Sequence, residues 1–516
     1  MLWLIAKKDF LLNLLSARFV IGFLLCLVII PFTVIVSVDN YLNQVQVYRI
    51  EQERAEKEYK EVRVWSMLRP TVVQAPAVLG IFSNGISGNL GNKSKIYLNE
   101  YPLFPSGHVT SRDNPLLNAF FSIDFSKVIA ILISLIALVF SYDAITRERE
   151  DGTMKLGLTG NVSRITFLFG KITGLLLTLL PILVFCYLLA CLIVLLNPEI
   201  AISASDWRGL LLLFLTSIIY MLVFILIGLL ISALVSRSSS SIILSLLCWI
   251  WFLFLLPNIS TYLSQSIVKT PLYDNIQSTM REFDKDFQKD NGEADKRIRD
   301  ELNLKGLSHW NYNGREDGMK EMSGTLKEGV LYHQRLSAWE APVMQDYADK
   351  KWAVQRNYLD ELIRQQKWQQ WIAWLSPSEL FGQVTNVLCK TDMHSFLKYL
   401  ESVRNFRETF FRYYTDKKLF ESIAYFTAHP LEDLFSEEDV EKMGGMMKFW
   451  DLMKEKGVDN QMFPFLDTDD VPRYVPQSAT LSTTLNDAVG RLTALLGLMV
   501  VLLLATIAAF MKYDVR

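Results

Sequence analysis

The chain of 516 residues has almost no charge inside its long apolar stretches, although 21% of its residues are charged. The nearest ionisable residues lie at the edges of these stretches, and they are Asp124, Lys127, Lys171, Asp487 and Arg491. A carrier driven by a proton or sodium gradient usually holds such a group near the bilayer midplane, where it forms the relay. The pattern therefore argues against an ion-coupled carrier and favours an energy source outside the membrane.

A nucleotide-binding loop is also missing from the sequence. The only Gly-Lys pair, Gly170-Lys171, is followed by Ile172 and has no glycine five residues earlier, so it does not match a phosphate-binding loop. There is no Gly-x-Ser-x-Gly elbow for a nucleophilic serine either. We therefore expect a chain that is not an enzyme by itself and holds no cofactor, and any nucleotide hydrolysis must come from a separate subunit.

Cysteine and histidine are scarce, with 5 of each. Four cysteines lie in apolar stretches and Cys389 stands alone in a polar segment, so no intrachain disulfide framework is predicted. The histidines are not paired at metal-ligand spacing. A loose group of methionines could hold Cu(I) through thioethers, and it comprises Met443, Met446, Met447 and Met453. Methionine more often fills gaps in a core, so we predict no metal site.

What the chain does have is six long apolar stretches. They cover 19–38, 125–142, 167–196, 210–235, 241–256 and 492–510. A helix needs about 20 residues to cross a hydrocarbon core of about 30 Å, and most of the stretches reach that length. The first begins after Arg18, is too long for the apolar core of a signal peptide and has no small-residue cleavage site. The sequence therefore predicts an all-α polytopic membrane protein with six transmembrane helices.

Five polar or mixed segments flank these stretches. We predict an N-terminal interfacial helix, an extracytoplasmic segment, a cytoplasmic coupling loop, a large and mainly helical extracytoplasmic domain and a cytoplasmic tail, at 1–18, 39–124, 143–166, 257–490 and 511–516. The first segment mixes apolar residues with charged ones, which is typical of a helix in the membrane interface. A plain extension of the first span is the alternative for that segment.

The orientation follows from the basic residues in short loops, because lysine and arginine favour the cytoplasmic side. With six spans, one side collects Lys7, Lys8, Arg18, Arg147, Arg149, Lys155, Arg164, Arg237, Lys512 and Arg516. We therefore predict that both termini are cytoplasmic, in a bacterial cytoplasmic (inner) membrane. The formal net charge is only −2, so neither nucleic acid nor a bulk anionic surface is an expected target. Membrane lipids are expected partners of the spans.

Three tryptophans recur at every third residue of a helical segment. Trp368, Trp371 and Trp374 share one helix face, which could bind a hydrophobic substrate or a partner. The alternatives are a domain core and an interfacial aromatic belt.

The loop after the second span carries the sharpest local pattern, Glu148-x-Glu150-x-Gly152-Thr153. Thr153 is a plausible N-cap for a short helix that ends by Gly160. A short helix between two spans, flanked by charges, could bind in a groove on a cytoplasmic partner. An ordinary solvated loop is the alternative.

Together with Ser163-Arg164 and Gly170-Lys171, this pattern resembles the signature of ABC-2 type exporter permeases. It is most similar to the group related to the permease of the nitrous-oxide reductase maturation transporter. The pieces 114–125, 376–396 and 512–516 are similar to larger members with an outer insert between spans five and six. The resemblance implies a six-span fold of the ABC-2 exporter type. It also implies that an ATPase-coupling region includes Glu148, Glu150, Gly152, Thr153, Met154 and Leu156.

These observations predict the permease subunit of an ABC exporter. Two ABC ATPase subunits would dock on it, and a second permease subunit would pair with it as a homodimer or a related heterodimer. An extracytoplasmic partner is also possible. One alternative is a mechanotransmitter that moves its outer domains without conducting a substrate, and another is a passive receptor or scaffold. Lipid, lipoprotein, peptide and antibiotic all stay open as substrates.

Overall fold

The computed structural model is dominated by helices. It describes residues 1–86, 91–101, 124–154, 163–304, 312–314, 320–322, 326–428, 430–445, 447–449, 451–452, 464–476 and 481–512. The helices are α1 Leu2–Leu14, α2 Ala17–Lys60, α3 Phe125–Ser141, α4 Thr146–Glu150, α5 Arg164–Leu195, α6 Ala204–Leu234, α7 Ser238–Ile250, α8 Leu256–Ile267, α9 Tyr273–Glu301, α10 Lys327–Ala373, α11 Pro377–Leu388, α12 Met393–Asp416, α13 Glu437–Lys442 and α14 Leu481–Met511.

Strands are few and short in the described part of the chain. They form two antiparallel hairpins, β1 Thr71–Val73 with β2 Lys93–Lys95 and β3 Tyr312–Gly314 with β4 Lys320–Met322. A π-helical turn, Trp251–Leu255, joins α7 to α8.

Six helical runs among the described residues are long and apolar enough to cross a membrane. They are Ala17–Lys60, Phe125–Glu150, Arg164–Leu195, Ala204–Leu234, Ser238–Ile267 and Thr484–Met511. This confirms the predicted all-α polytopic class. The fifth run is longer than the apolar stretch 241–256, because the helix continues through the π-helical turn into α8. We call the end of the spans near Ser238 the motif end, since the pattern at 148–153 lies there.

Short polar side chains fix where the spans begin. Ser16 accepts a hydrogen bond from the Phe19 amide at the start of α2, and Asp124 accepts one from the Lys127 amide at the start of α3. Ser203 begins α6 with a reciprocal capping box. Such side chains pair amide groups that the first helical turn leaves without partners.

Glycines allow close approach inside the bundle. A Cβ atom at Gly228 of α6 would lie 1.9 Å from the Oγ of Ser141 on α3. A Cβ atom at Gly170 or Gly174 of α5 would lie 2.8 Å or 2.9 Å from side-chain atoms of α1. Small residues at these positions let helix backbones pack tightly without a hydrophobic driving force from water. As a result α1 lies firmly against the motif end of α5.

A second core lies beyond the opposite end of the spans and joins the two inserts. The end of α2 contributes Tyr59 and Val62, and α12 contributes Tyr399, Val403 and Phe410 to the same cluster. We use the name insert domain for the described parts of 60–101, 273–364 and 389–476. Segments that the sequence treats separately, 39–124 and 257–490, therefore meet in one core.

A fully buried arginine supports this core. Arg407 donates hydrogen bonds to the carbonyl oxygens of Tyr97 and Leu98 and to Oε1 of Gln345. Its guanidinium also lies over the ring of Tyr101, 4.4 Å from the centroid. The arginine therefore links α10 and α12 to the segment that follows β2.

The end of α10 and all of α11, residues 365–388, return into the bundle of spans. We call this segment the re-entrant hairpin. Its first limb follows α8, because Gln365 donates to the carbonyl of Val268 and Gln369 donates to Oγ1 of Thr261. Its second limb places Phe381 on Tyr220 of α6, with ring centroids 4.5 Å apart. The apolar face of α11 belongs to the same core as the spans.

The turn of the hairpin meets the π-helical turn of the fifth span. Pro257 has no amide hydrogen, so in the i to i+5 pattern the carbonyl of Phe252 receives no helical hydrogen bond. The hydroxyls of Ser376 and Ser378 donate to this carbonyl instead, over 2.6 Å and 2.8 Å. The hairpin therefore supplies the donors that a proline removes from the span.

The distance of the hairpin from the motif end can be calculated along two helices that contact it. Fourteen residues separate Ser238 from Phe252, and the same number separates Tyr220 from Leu234, so each rise is about 21 Å. Both distances start at the motif end and are shorter than a hydrocarbon core of about 30 Å. A bilayer that covers the six spans therefore also covers the turn of the hairpin.

Candidate functional site

An ion cluster joins the loop pattern to α1 and α5. Lys171 Nζ lies 2.5 Å from Oε1 of Glu148 and 3.1 Å from Oδ2 of Asp9. The lysine is only 3% exposed, and Asp9 is buried as well. We call Asp9, Glu148 and Lys171 the ion cluster. Lys8 lies at its outer edge, 3.6 Å from Glu148.

Ion pairing keeps this cluster stable in an apolar setting, with Lys8 at its edge adding a second positive charge. Burial raises the pKa of the Asp9 carboxyl above its ordinary value, and the nearby Lys171 ammonium opposes that effect. Removing one partner of a buried ion pair leaves an uncompensated charge, which is costly. The cluster therefore holds α1, α4 and α5 in one arrangement.

Glu150 bonds in another direction, to the start of the fifth span. Its carboxylate accepts hydrogen bonds from the amide and the hydroxyl of Ser238, over 2.8 Å and 2.7 Å. A negative charge at a helix N-terminus is favourable, because unpaired amides and the helix dipole make that end positive. Glu150 thus caps α7 from a separate segment of the chain.

The rest of the segment binds the first and fourth spans. Arg149 donates to the carbonyl oxygens of Val235 and Ala233, near the end of α6. Ser232 Oγ, also on α6, accepts from the amides of Ile145 and Thr146. On the other side, Asp143 lies 2.9 Å from Arg18 of α2. We call residues 143–150 the elbow.

The predicted coupling residues do not all face the same way. Glu148 is half-buried against the spans, Glu150 is exposed but bonds to the start of the fifth span, and Gly152 and Thr153 are exposed. Gly152 has a φ of +71°, a left-handed conformation that glycine adopts without strain. Met154 is buried and packs in the core of the spans. Leu156 lies outside the described residues, so its role and the helix predicted after Thr153 stay predictions.

The three tryptophans lie far from the elbow, on the first limb of the re-entrant hairpin. Trp371 and Trp374 stack with centroids 4.7 Å apart, and Trp374 packs against the core of the spans. Trp371 is 63% exposed and Trp368 is exposed as well. Their position among the spans fits an aromatic belt or a surface for a hydrophobic partner, and both interpretations stay open.

A polar pair on α11 could not be recognised from the sequence. Glu379 and Gln383 lie one helical turn apart, with Gln383 Nε2 3.5 Å from Oε1 of Glu379. Gln383 is 8% exposed, and its Oε1 atom has no hydrogen-bond partner. The pair falls inside a segment predicted to be extracytoplasmic, so its burial among apolar spans had no signal in composition.

Among the described residues, no group of three or more histidine, cysteine, aspartate or glutamate side chains is arranged to hold a metal ion. The methionine group considered above lies partly outside those residues, since Met446 and Met453 are not described. The prediction that there is no metal site therefore stays a prediction.

Comparison with known protein families gives a match over nearly the whole chain. Residues 3–515 match a family model described as ABC-2 family transporter protein. The match covers the six spans, the elbow and both inserts. The search of curated proteins gave no match.

Proposed function

Since the chain belongs to the ABC-2 family of transporter proteins, we propose that it is the permease subunit of an ABC exporter, driven by separate ATPase subunits. In this proposal it pairs with a second permease subunit in a bacterial cytoplasmic membrane, with both termini in the cytoplasm. ATP and magnesium are bound by the ATPase, and this chain contributes no catalytic group. The narrower relation to the nitrous-oxide reductase maturation group stays part of the proposal.

The main observation in support of the proposal is that hydrogen bonds and ion pairs join the elbow to four of the spans. Its side chains and amides reach α2 through Arg18, α5 through Lys171, α6 through Ser232 and α7 through Ser238. Force applied to one short segment is therefore passed to several spans at once, as rigid-body transitions require. An ordinary solvated loop would not make contacts with four spans.

The ATPase contact surface in this proposal is the exposed edge of the elbow and the turn after it. Arg147, Asp151, Gly152 and Thr153 are exposed there. Glu148 and Glu150 then act through the spans they bind and not by touching the ATPase. This assigns the two carboxylates a transmitting role and the exposed residues a docking role.

Uncovered apolar faces support pairing with a second permease subunit. The second and fourth spans are mostly buried within the chain, whereas the first, fifth and sixth are mostly uncovered. Lipid or a second subunit must cover those faces, because large exposed apolar surfaces are unfavourable in water. A substrate pathway along the subunit boundary fits this arrangement.

A second candidate function, mechanotransmission, is favoured by the first span. Helix α2 runs without interruption from Ala17 to Lys60, and its far end is held in the insert domain. Tyr59 donates a hydrogen bond to the carbonyl of Pro472, and Thr468 donates one to the carbonyl of Tyr59. Motion of the span would therefore reach the insert domain directly, with or without substrate conduction.

Cysteine cross-linking tests the docking proposal. A Thr153→Cys chain, co-expressed with its ATPase, should cross-link to that ATPase through a short bifunctional maleimide. A Trp207→Cys chain is the matched control, because this exposed residue lies at the opposite end of the fourth span. Cross-linking from the control position alone, or no ATPase bound to the purified chain, would overturn the proposal.

Sealed proteoliposomes separate conduction from mechanotransmission. Vesicles containing the assembled complex would hold a panel of labelled lipids and peptides. ATP-dependent movement of any member across the bilayer supports the exporter. ATP turnover with an ATP-dependent movement of a spin label at Arg54→Cys on α2, and no movement of the panel, supports the mechanotransmitter.

A further inference from the structure

Five acidic side chains near the ends of the spans each lie within salt-bridge distance of a cation. Asp9 pairs with Lys171, Asp124 with Lys127, Asp143 with Arg18 and Asp487 with Lys398, while Glu148 shares Lys171. Glu379 has no salt bridge within the part of the chain that the structure describes, and its side-chain contact is the amide of Gln383.

The position of Glu379 makes the lack of a salt bridge costly. The residue follows the turn of the re-entrant hairpin by one helical turn, at a depth where Ser376 contacts the middle of the fifth span. A carboxylate inside a bilayer is unfavourable by several kcal/mol unless it is paired or faces a polar space. Such a group marks a functional site by default.

Gln383 provides the second acceptor at this place. Its Nε2 group faces Glu379, while its buried Oε1 atom has no donor. Buried polar groups are nearly always hydrogen-bonded, so an orphan oxygen beside an unpaired carboxylate indicates a missing donor. Gly382 borders open space, since nothing lies within 4 Å of a Cβ atom built there. A ligand can therefore approach this side of α11.

We propose that Glu379 and Gln383 bind the ammonium group of an amphiphilic substrate within the membrane. An ammonium ion carries three donors and one positive charge, which suits a carboxylate and an amide oxygen together. The apolar part of the ligand lies against the exposed hairpin residues Trp371 and Leu375. The proposal rests on the proposed export function and deepens it by naming a substrate class.

Photolabelling tests this site without ATP turnover as the readout. The full chain with its ATPase, in nanodiscs of phosphatidylglycerol, is exposed to a dodecylammonium probe that carries a diazirine. We expect the probe to label residues 371–388, and Glu379→Gln should lower that labelling about tenfold, since a charge-assisted hydrogen bond contributes about 1.5–3 kcal/mol. Gln383→Leu should lower it as well.

Matched controls distinguish recognition from partitioning into lipid. Glu401→Gln, an exposed change on α12, should leave the labelling unchanged. A probe with a hydroxyl in place of the amine should label the hairpin weakly and equally in all variants. Equal labelling by the two probes, or labelling by the amine that survives Glu379→Gln, would overturn the proposal.

Competition identifies the source of the ammonium group. Phosphatidylethanolamine that displaces the probe identifies a lipid, and a lysine-containing amphipathic peptide that displaces it identifies a peptide. Either result supports the site. Labelling that persists when no ATPase binds the chain supports the site and refutes the proposed function, so the two failures are distinguishable.

Discussion

Lys171 Nζ lies 2.5 Å from Oε1 of Glu148, and this buried contact joins the elbow to the third span. The same ammonium lies 3.1 Å from Asp9 on α1. One lysine therefore pairs with two carboxylates that come from different segments, and Lys8 at the edge of the cluster supplies the second positive charge. The contact explains why a glutamate in the loop pattern points toward the spans, and it leads to the first prediction.

Lys171→Gln should destabilise the chain strongly. The change leaves the buried Asp9 without its ion-pair partner and the half-buried Glu148 with only the exposed Lys8 beside it. Removing one partner of a buried ion pair costs about 3–5 kcal/mol. Thermal unfolding in detergent, followed by tryptophan fluorescence, should show a clear fall in the unfolding temperature. Lys57→Gln is the matched control, because its pair with Glu61 is exposed and should contribute about 0.5 kcal/mol or less.

A triple variant tests whether the loss of stability comes from the unpaired charges. Adding Asp9→Asn and Glu148→Gln to Lys171→Gln removes the unpaired charges and should restore much of the lost stability. If the triple variant is as unstable as the single one, packing around the lysine and not its charge is what matters.

Glu150→Ala should weaken the link between the elbow and the fifth span. Alanine cannot accept the hydrogen bonds from Ser238, whereas the Glu150→Gln variant retains one acceptor oxygen. In the assembled complex, we expect ATP turnover to fall in Glu150→Ala and to fall less in Glu150→Gln, with membrane insertion unchanged. Equal turnover in both variants and in the native chain would contradict a transmitting role for Glu150.

Gly228→Ala should disrupt the contact between the second and fourth spans. The added Cβ atom would lie 1.9 Å from Ser141 Oγ and 2.8 Å from Ser141 Cβ. Overpacking of this kind typically costs about 1–3 kcal/mol, measured as a lower unfolding temperature. Ser141→Gly in the same chain should recover the stability, because it removes both atoms.

Gly497→Ala is the control for that experiment. Nothing lies within 4 Å of a Cβ atom at this position of α14, so the substitution meets no neighbour. Alanine also favours a helix over glycine, and the unfolding temperature should stay the same or rise slightly. A similar loss at both glycines would show that helix flexibility, and not contact with Ser141, decides the result.

The double variant Ser376→Ala with Ser378→Ala should cost more than the two single variants added together. Each serine donates to the Phe252 carbonyl, so one hydroxyl still pairs it after a single change. Losing both leaves a buried carbonyl unpaired, at a cost of about 1–3 kcal/mol. The unfolding temperatures of the native chain, the two single variants and the double variant give the coupling energy between the two serines. Additive effects would contradict the conclusion that both serines pair the Phe252 carbonyl.

Ser266→Ala is a suitable reference for those measurements. Its hydroxyl is exposed and donates to the carbonyl of Tyr262 in its own helix. The change should leave the unfolding temperature nearly unaltered, because the carbonyl keeps access to other donors.

The sequence predicted the class of the protein because membrane spans have a strong local signal. Long apolar runs must become helices in lipid, where each backbone polar group needs an internal partner. The loop pattern at 148–153 was also recognisable in the sequence, and its coupling role stays a prediction. The partners of its carboxylates were not predictable, since Lys171 is 23 positions and Ser238 is 88 positions away. Such pairings depend on how the spans pack, which periodicity does not encode.

The re-entrant hairpin shows where local patterns stop being informative. Helix α11 carries Leu380, Phe381, Val384 and Leu388 on one face, as a helix on a soluble core would. The pattern says that this face is buried but not whether a domain or a bundle of spans covers it. The role of the two serines at its start is visible only in the structure, where they donate to the Phe252 carbonyl that Pro257 leaves without a helical donor.

The unbroken first helix has a mechanical consequence. Helix α2 contains 44 residues, so its length is about 66 Å, even with Pro31 inside it. A pivot of about ten degrees at its base would carry its tip sideways by about 11 Å, several times the shift at any residue near the elbow. Such a pivot would make the helix a lever, in which a small displacement on one side of the bilayer becomes a large one on the other.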